Sequence, residues 1–237
     1  MPPRFLALGD SYTIGEAVDA AARWPSRICA RLLLERAIGP VRPEIIAMTG
    51  WSVLELNHAI DLARPAGAWD VVSLLIGVND QYRGGSARAY GPAFRATLRR
   101  AAELAGGDAS RVMVLSIPDY GYAPHGAARR VMISAALDAF NAESRAAARE
   151  LGARYVDITE CSRQARADWI APDQLHPSAA QHEAWAGLIY PVFDAIVRQR
   201  PTARASAMRN FFAGAPYAPV GHTKRRSVPR SSNCLTT

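Results

Sequence analysis

Short apolar runs alternate with longer stretches in which apolar residues recur every three or four positions. The runs are "RFLAL" (4–8), "EIIAM" (44–48), "DVVSLLI" (70–76), "RVMVLSI" (111–117) and "RYVDI" (154–158). They are nearly continuous in hydrophobicity and rich in β-branched residues, as strands buried on both faces are. Helical periodicity occupies the intervals near 24–38, 52–63, 87–105 and 127–150, with a last helix near 178–198. This order predicts a five-stranded parallel sheet covered on both faces, a single three-layer α/β domain. Ser52 and Glu55 form an S-x-x-E capping box at the start of the second helix. Pro191 falls inside the last helical pattern, where it is expected to kink the helix or divide it in two.

The pattern fades after Pro201. Residues 1–200 are read as the domain. Residues 201–237, which mix Pro, Gly, Ala, Ser and Arg without sustained periodicity, are read as a disordered tail. This boundary changes the meaning of the net charge of +7, because six of those charges lie in the tail, which carries no acid. The first 200 residues are left at only +1, so a broad basic face for nucleic acid is not expected. Lys224, in the tail, is the only lysine, which excludes a lysine-dependent mechanism in the domain. No apolar run approaches the roughly 18 residues of a membrane span. The apolar stretch Phe5 to Leu8 before Gly9 is too short for a secretory signal, so a cytoplasmic location is expected. Cys29, Cys161 and Cys234 are widely spaced and read as reduced thiols rather than a disulfide framework or zinc site. Cys29 reads as a core residue.

In a parallel sheet of this kind, ligands bind beyond the carboxyl ends of the strands. Four polar turns must emerge there: "GDS" (9–11), "TGWS" (49–52), "GVND" (77–80) and "PDYGYAPHG" (118–126). A fifth segment, "APDQLHPS" (171–178), can return to the same edge. Ser11 could cap a helix, cradle a phosphate together with Thr13 and Gly15, or act as a nucleophile. The residues from Tyr12 to Glu16 are a poor helix start, so capping explains little. Neither G-x-x-x-x-G-K-[ST] nor G-x-G-x-x-G is present.

A nucleophile needs a base, and the base needs an orienting group. Of the five histidines, His58 and His182 lie on predicted helices and are expected to face solvent. His222 is in the tail, and His125 is a possible rim residue. His176 is distinguished by Asp173 three residues earlier on a loop, a spacing that lets the carboxylate reach Nδ1–H. Ser11, Asp173 and His176 thus form a candidate triad, with the Gly50 N–H and the Asn79 side chain as candidate oxyanion donors. The α/β-hydrolases share the order Ser, Asp, His, but they carry the serine in G-x-S-x-G, and Ser11 sits in G-D-S-Y-T.

The blocks "GDSYTIGE", "TGWS", "GVND" and "DQLHPS" resemble the four blocks of the SGNH hydrolases, also called the GDSL esterase/lipase family. The resemblance spans Ser11 to His176. It implies a flavodoxin-like α/β/α sandwich that uses no metal or cofactor and hydrolyses small-molecule acyl esters through an acyl-serine. It also implies Ser11 as nucleophile, His176 as general base and Asp173 as its orienting acid. The Ser11 N–H, the Gly50 N–H and the Asn79 side chain would form the oxyanion hole. Tyr12 stands where Leu is common and is expected to shape the pocket. Asp80 is expected to be structural. Trp51 is either a wall of the acyl pocket or a core tryptophan. The loops at 83–92 and 118–126 are expected to set pocket depth. Small or medium acyl esters are the expected substrates, with acyl transfer to another acceptor, or non-catalytic ligand binding on the same fold, as alternatives.

Overall fold

The computed structural model describes residues 2–200 except Ala37 and Ala165. The tail boundary, Cys234 and His222 lie outside the described residues. In chain order the elements are β1 (Phe5–Gly9), α1 (Ser11–Ile14), α2 (Trp24–Arg36), β2 (Pro43–Ala47), α3 (Val53–Ala63), β3 (Val71–Leu75) and α4 (Val78–Tyr82). There follow α5 (Ala87–Leu104), β4 (Val112–Leu115), α6 (Arg130–Leu151), β5 (Arg154–Val156), α7 (Thr159–Ser162) and α8 (Ala179–Arg198).

The five strands form one parallel sheet in the order β2-β1-β3-β4-β5. Every residue of β1 and β3 is buried, which is why their sequences do not alternate. The step from β1 to β2 runs opposite to the steps toward β5. Right-handed crossovers therefore send α2 to one face and α3, α5 and α6 to the other. The packing agrees: α2 pairs with α8, while α5 packs on α6 and α3. The strand order reverses between β1 and β3, and a crevice opens there at the carboxyl edge. Gly9 is opposite Ala47 on one side and Leu75 on the other, so β2, β1 and β3 end at one level.

The capping box forms as expected: Ser52 accepts from the Glu55 N–H, and Glu55 accepts from the Ser52 N–H. Cys29 is buried in the core. Two expectations are corrected. Pro191 does not divide α8, because the helix continues through Ala179–Arg198. Ile189, Tyr190, Phe193 and Ile196 on either side of the proline are buried. Their packing offsets a proline cost of about 3 kcal/mol. His182 does not face solvent but is completely buried. Its Nδ1 accepts the Trp24 N–H at 3.3 Å, satisfying one of the orphan donors at the start of α2. Burial, with the charges of Arg27 and Arg23 adding to it, lowers the imidazole pKa to about 3 and keeps the ring a neutral acceptor.

Among the described residues, the hydrophobic core runs from Phe5 to Ile196. Deleting residues 201–237 is therefore expected to leave the melting temperature and any catalytic activity close to those of the full chain. A drop of several degrees on thermal melting would place the tail in the fold.

Candidate active site

The chain leaves β1 through Gly9 and turns at once into the single helical turn α1. A Cβ at position 9 would sit 2.2 Å from the Thr13 hydroxyl oxygen and 2.4 Å from the Leu75 carbonyl, so only glycine permits this turn. Asp10, not Ser11, is the N-cap: its Oδ1 accepts the Tyr12 N–H at 3.0 Å. The Asp10 carbonyl accepts from Thr13 and Ile14. Here tertiary context supplies a helical turn that the sequence from Tyr12 onward did not suggest. Ser11 is its first residue, and its N–H bonds to no other described group. The Gly15 N–H is bonded to the Ser11 carbonyl, and Thr13 is fully buried. Neither can join Ser11 in cradling a phosphate. Burial of Asp10, reinforced by the charge of Asp80 and opposed by the Tyr12 N–H, pushes its carboxyl up to about 8.

His176 is held by its own loop. Asp173 Oδ1 accepts the N–H groups of Leu175 at 3.0 Å and His176 at 2.9 Å, and His176 Nδ1 lies 2.6 Å from Asp173 Oδ2. Gln174 takes φ +65° between them, which bends the backbone so that the carboxylate meets both amides and the ring. Burial opposes the charge on Asp173. The two amides and the imidazole outweigh it and hold the carboxyl below the usual range. An ionised Asp173 fixes the Nδ1–H tautomer and leaves Nε2 as the basic nitrogen. The loop is closed by the Ile170–Pro177 bridge and by the Ala171 N–H on the His176 carbonyl at 2.8 Å. Tyr12 stands edge-on to His176, with ring centroids 6.2 Å apart, and edge-on to Trp185 at 5.9 Å.

The third and fourth parts come from the ends of β2 and β3. Gly50 adopts φ +86°, a conformation that favours glycine. Its N–H bonds to no other described group. Asn79 donates one amide hydrogen to the Trp51 carbonyl at 2.9 Å, which orients its carboxamide and leaves the second hydrogen available. Asp80 Oδ2 accepts the Val53 N–H at 3.0 Å, tying the end of β3 to the start of α3 in a structural role.

Ser11, Gly50, Asn79 and His176 line one cavity of about 200 Å³. Tyr12 lines it as well. Trp51 does not; it is half-buried against the core and reaches the site through its carbonyl alone. Thr49, Val78, Tyr82, Tyr120 and Leu175, not singled out from sequence, complete the wall with His125. The position of Tyr82 follows from α4, which places residues three apart on one face and so puts Tyr82 beside Asn79. The 118–126 loop contributes Tyr120 and His125, whereas no residue of 83–92 lines the cavity.

The arrangement supplies a hydroxyl, an imidazole with a free basic nitrogen, and three N–H donors around one space, the set that acyl transfer requires. No cluster of three or more His, Cys, Asp or Glu suited to a metal occurs among the described residues. No described helix is long and apolar enough to cross a membrane.

The profile of the GDSL-like lipase/acylhydrolase family matches residues 7–184. No curated protein matches the chain in sequence. Among solved structures, a member of the lipolytic protein G-D-S-L family from Veillonella parvula DSM 2008 is 20% identical, with TM-score 0.64, over 81% of this chain and 98% of that one. The acetylxylan esterase Axe2 from Geobacillus stearothermophilus is 18% identical, with TM-score 0.63, over 81% and 94%. The psychrotrophic esterase EstA from a Pseudoalteromonas species, inhibited by monoethylphosphonate, is 13% identical, with TM-score 0.61, over 84% and 100%. At these identities the likenesses establish the fold.

Asp10 generates a pH prediction. Its carboxyl binds a proton up to about pH 8 in the native protein but, at an ordinary value of 3.8, loses it far earlier when unfolded. The native state therefore holds more protons across that window, and stability falls as pH rises through it. The Asp10→Asn protein keeps an acceptor for the Tyr12 N–H but has nothing to titrate. Its melting temperature is expected to fall less steeply between about pH 5 and pH 8. Parallel curves for the two proteins would show that Asp10 is ionised throughout.

Proposed function

The chain belongs to the GDSL-like lipase/acylhydrolase family, and we propose that it is a serine esterase that hydrolyses short acyl esters through an acyl-Ser11 intermediate. One observation carries the reading: His176, paired with an Asp173 pinned by backbone amides, lines the same cavity as Ser11, Gly50 and Asn79. An Asp–His pair and a set of open donors have no use in a passive binding pocket. The esterases among the similar structures support the assignment.

In the proposed reaction, Ser11 Oγ attacks the ester carbonyl as His176 Nε2 accepts its proton. Asp173 keeps the imidazole in the required tautomer and stabilises the imidazolium. The tetrahedral oxyanion is held by the N–H groups of Ser11 and Gly50 and by the free amide hydrogen of Asn79. Collapse breaks the bond to the alcohol oxygen, which takes the proton back from His176. Water then repeats the sequence on the acyl-serine and releases the acid. No metal or cofactor takes part.

The cavity bounds the acyl group. Its volume of about 200 Å³ favours a short acyl chain. Each buried methylene contributes about 0.8 kcal/mol, so kcat/KM on p-nitrophenyl esters is expected to rise severalfold per added carbon and then level off near hexanoate. A maximum at palmitate would contradict this bound. Ser11→Ala and His176→Ala are each expected to lower kcat on the best ester by roughly 10³-fold or more, with the double variant little worse than either. A fluorophosphonate should label Ser11 in the unmodified protein. Near-normal turnover by Ser11→Ala would end the serine-esterase reading.

A further inference from the structure

A Cβ built on Gly50 would meet no atom within 4 Å, so no side-chain packing could hold this turn. With φ at +86° and no side chain, the peptides on either side of it are free to rotate unless hydrogen bonds hold them. The bonds come largely from one element. Arg83, the residue just after α4, donates Nη2–H to the Gly50 carbonyl at 2.7 Å and Nη1–H to Glu55 Oε2 at 2.9 Å. The same Glu55 oxygen accepts from the Ser52 N–H at 2.7 Å and the Ser52 hydroxyl at 2.8 Å, closing the capping box of α3. Those backbone and hydroxyl bonds, with Arg83, draw the Glu55 carboxyl down to about 2, so it stays ionised as an anchor for the guanidinium. Trp51 is held by Asn79 through its carbonyl and by a longer 3.3 Å bond from its N–H to Met48. Thr49 bonds to Glu16.

From this arrangement we propose that Arg83 is a positioning residue for the oxyanion site, fixing the peptide planes at Gly50 so that its N–H faces the cavity. The inference rests on the acyl-serine reading above. Arg83 does not line the cavity, so it acts through Gly50 rather than on substrate. Its side chain is 53% exposed and Glu55 is 42% exposed. An exposed pair of this kind adds little to global stability. What it contributes is preorganisation: without Arg83 the Gly50 carbonyl turns to water, and the Gly50–Trp51 peptide keeps only the longer bond from the Trp51 N–H to Met48. The fork geometry matters, because a guanidinium bonds a carbonyl and a carboxylate at once in fixed directions, as an ammonium cannot.

The test compares Arg83→Ala and Arg83→Lys with the unmodified chain. Arg83→Ala is expected to lower kcat by about 10- to 100-fold, with KM within about twofold. Its melting temperature should stay within about 2 °C of the unmodified chain. Arg83→Lys should recover only part of the loss, and added methylguanidinium should restore part of the Ala variant's turnover. The rate at which a fluorophosphonate modifies Ser11 should fall in parallel with kcat. An unchanged kcat, a defect confined to KM, or a loss that tracks a lowered melting temperature would each overturn the proposal. Backbone ¹⁵N relaxation at Gly50 separates this failure from that of the parent reading. If Ser11 in the unmodified protein resists the fluorophosphonate, the acyl-serine reading falls. Gly50 must even then become more mobile in Arg83→Ala, and unchanged relaxation there refutes the positioning role.

Discussion

The site depends on a single topological constraint, the reversal of strand order between β1 and β3. Parallel strands bring all their carboxyl ends to one edge, but only where successive crossovers diverge to opposite faces does that edge open into a crevice. Ser11 leaves one wall of this crevice and Asn79 the other, with Gly50 arriving from the neighbouring strand. The register of Gly9 with Ala47 and Leu75 makes the three turns begin at one height. Were β1 one residue longer, the first turn would miss the other two and its side chains would exchange faces. The buried, unbranched step at Gly9 sets that length, because no side chain fits between the Thr13 hydroxyl and the Leu75 carbonyl.

Hydrophobic packing locates these turns to within a few ångströms, and polar contacts do the rest. The short α4 segment and the residue after it contribute three such contacts. Asn79 holds the Trp51 carbonyl, Asp80 the Val53 N–H and Arg83 the Gly50 carbonyl, so the end of β3 grips the loop leaving β2. On the far side, Asp173 closes its own turn with two amide bonds before it engages the imidazole. Several of these bonds are exposed and worth little in stability; their effect is on geometry, where catalysis is most sensitive. Tyr12 joins the two halves, standing edge-on to His176 from the element that carries Ser11.

The strands were readable from the sequence because buried parallel strands announce themselves as unbroken apolar runs, and each falls within two residues or so of its expected place. The residues brought around the cavity were readable because four turns at one edge carried a coherent set of side chains. What stayed hidden depended on tertiary contact. The helical turn at Ser11 exists because Asp10 caps it from the end of a buried strand, not because its residues favour helix. His182 on an amphipathic helix looks like a surface residue until α2 presents an unsatisfied Trp24 N–H to it. Pro191 looks like a break until the packing of α8 on α2 outweighs the lost hydrogen bond. Tyr82 meets Tyr120 and His125 of the 118–126 loop from a separate segment, a wall that only the fold assembles.

The proposed acyl-Ser11 intermediate is tested most directly by trapping it. A short p-nitrophenyl ester is mixed with the protein, the reaction is quenched in acid within its first turnovers, and the peptide containing Ser11 is weighed by mass spectrometry. The expected result is one acyl group on Ser11, formed at the rate of a p-nitrophenol burst and absent from the His176→Ala protein. Turnover with no acyl group on Ser11, or an acyl group on another residue that forms and decays at the catalytic rate, would contradict it.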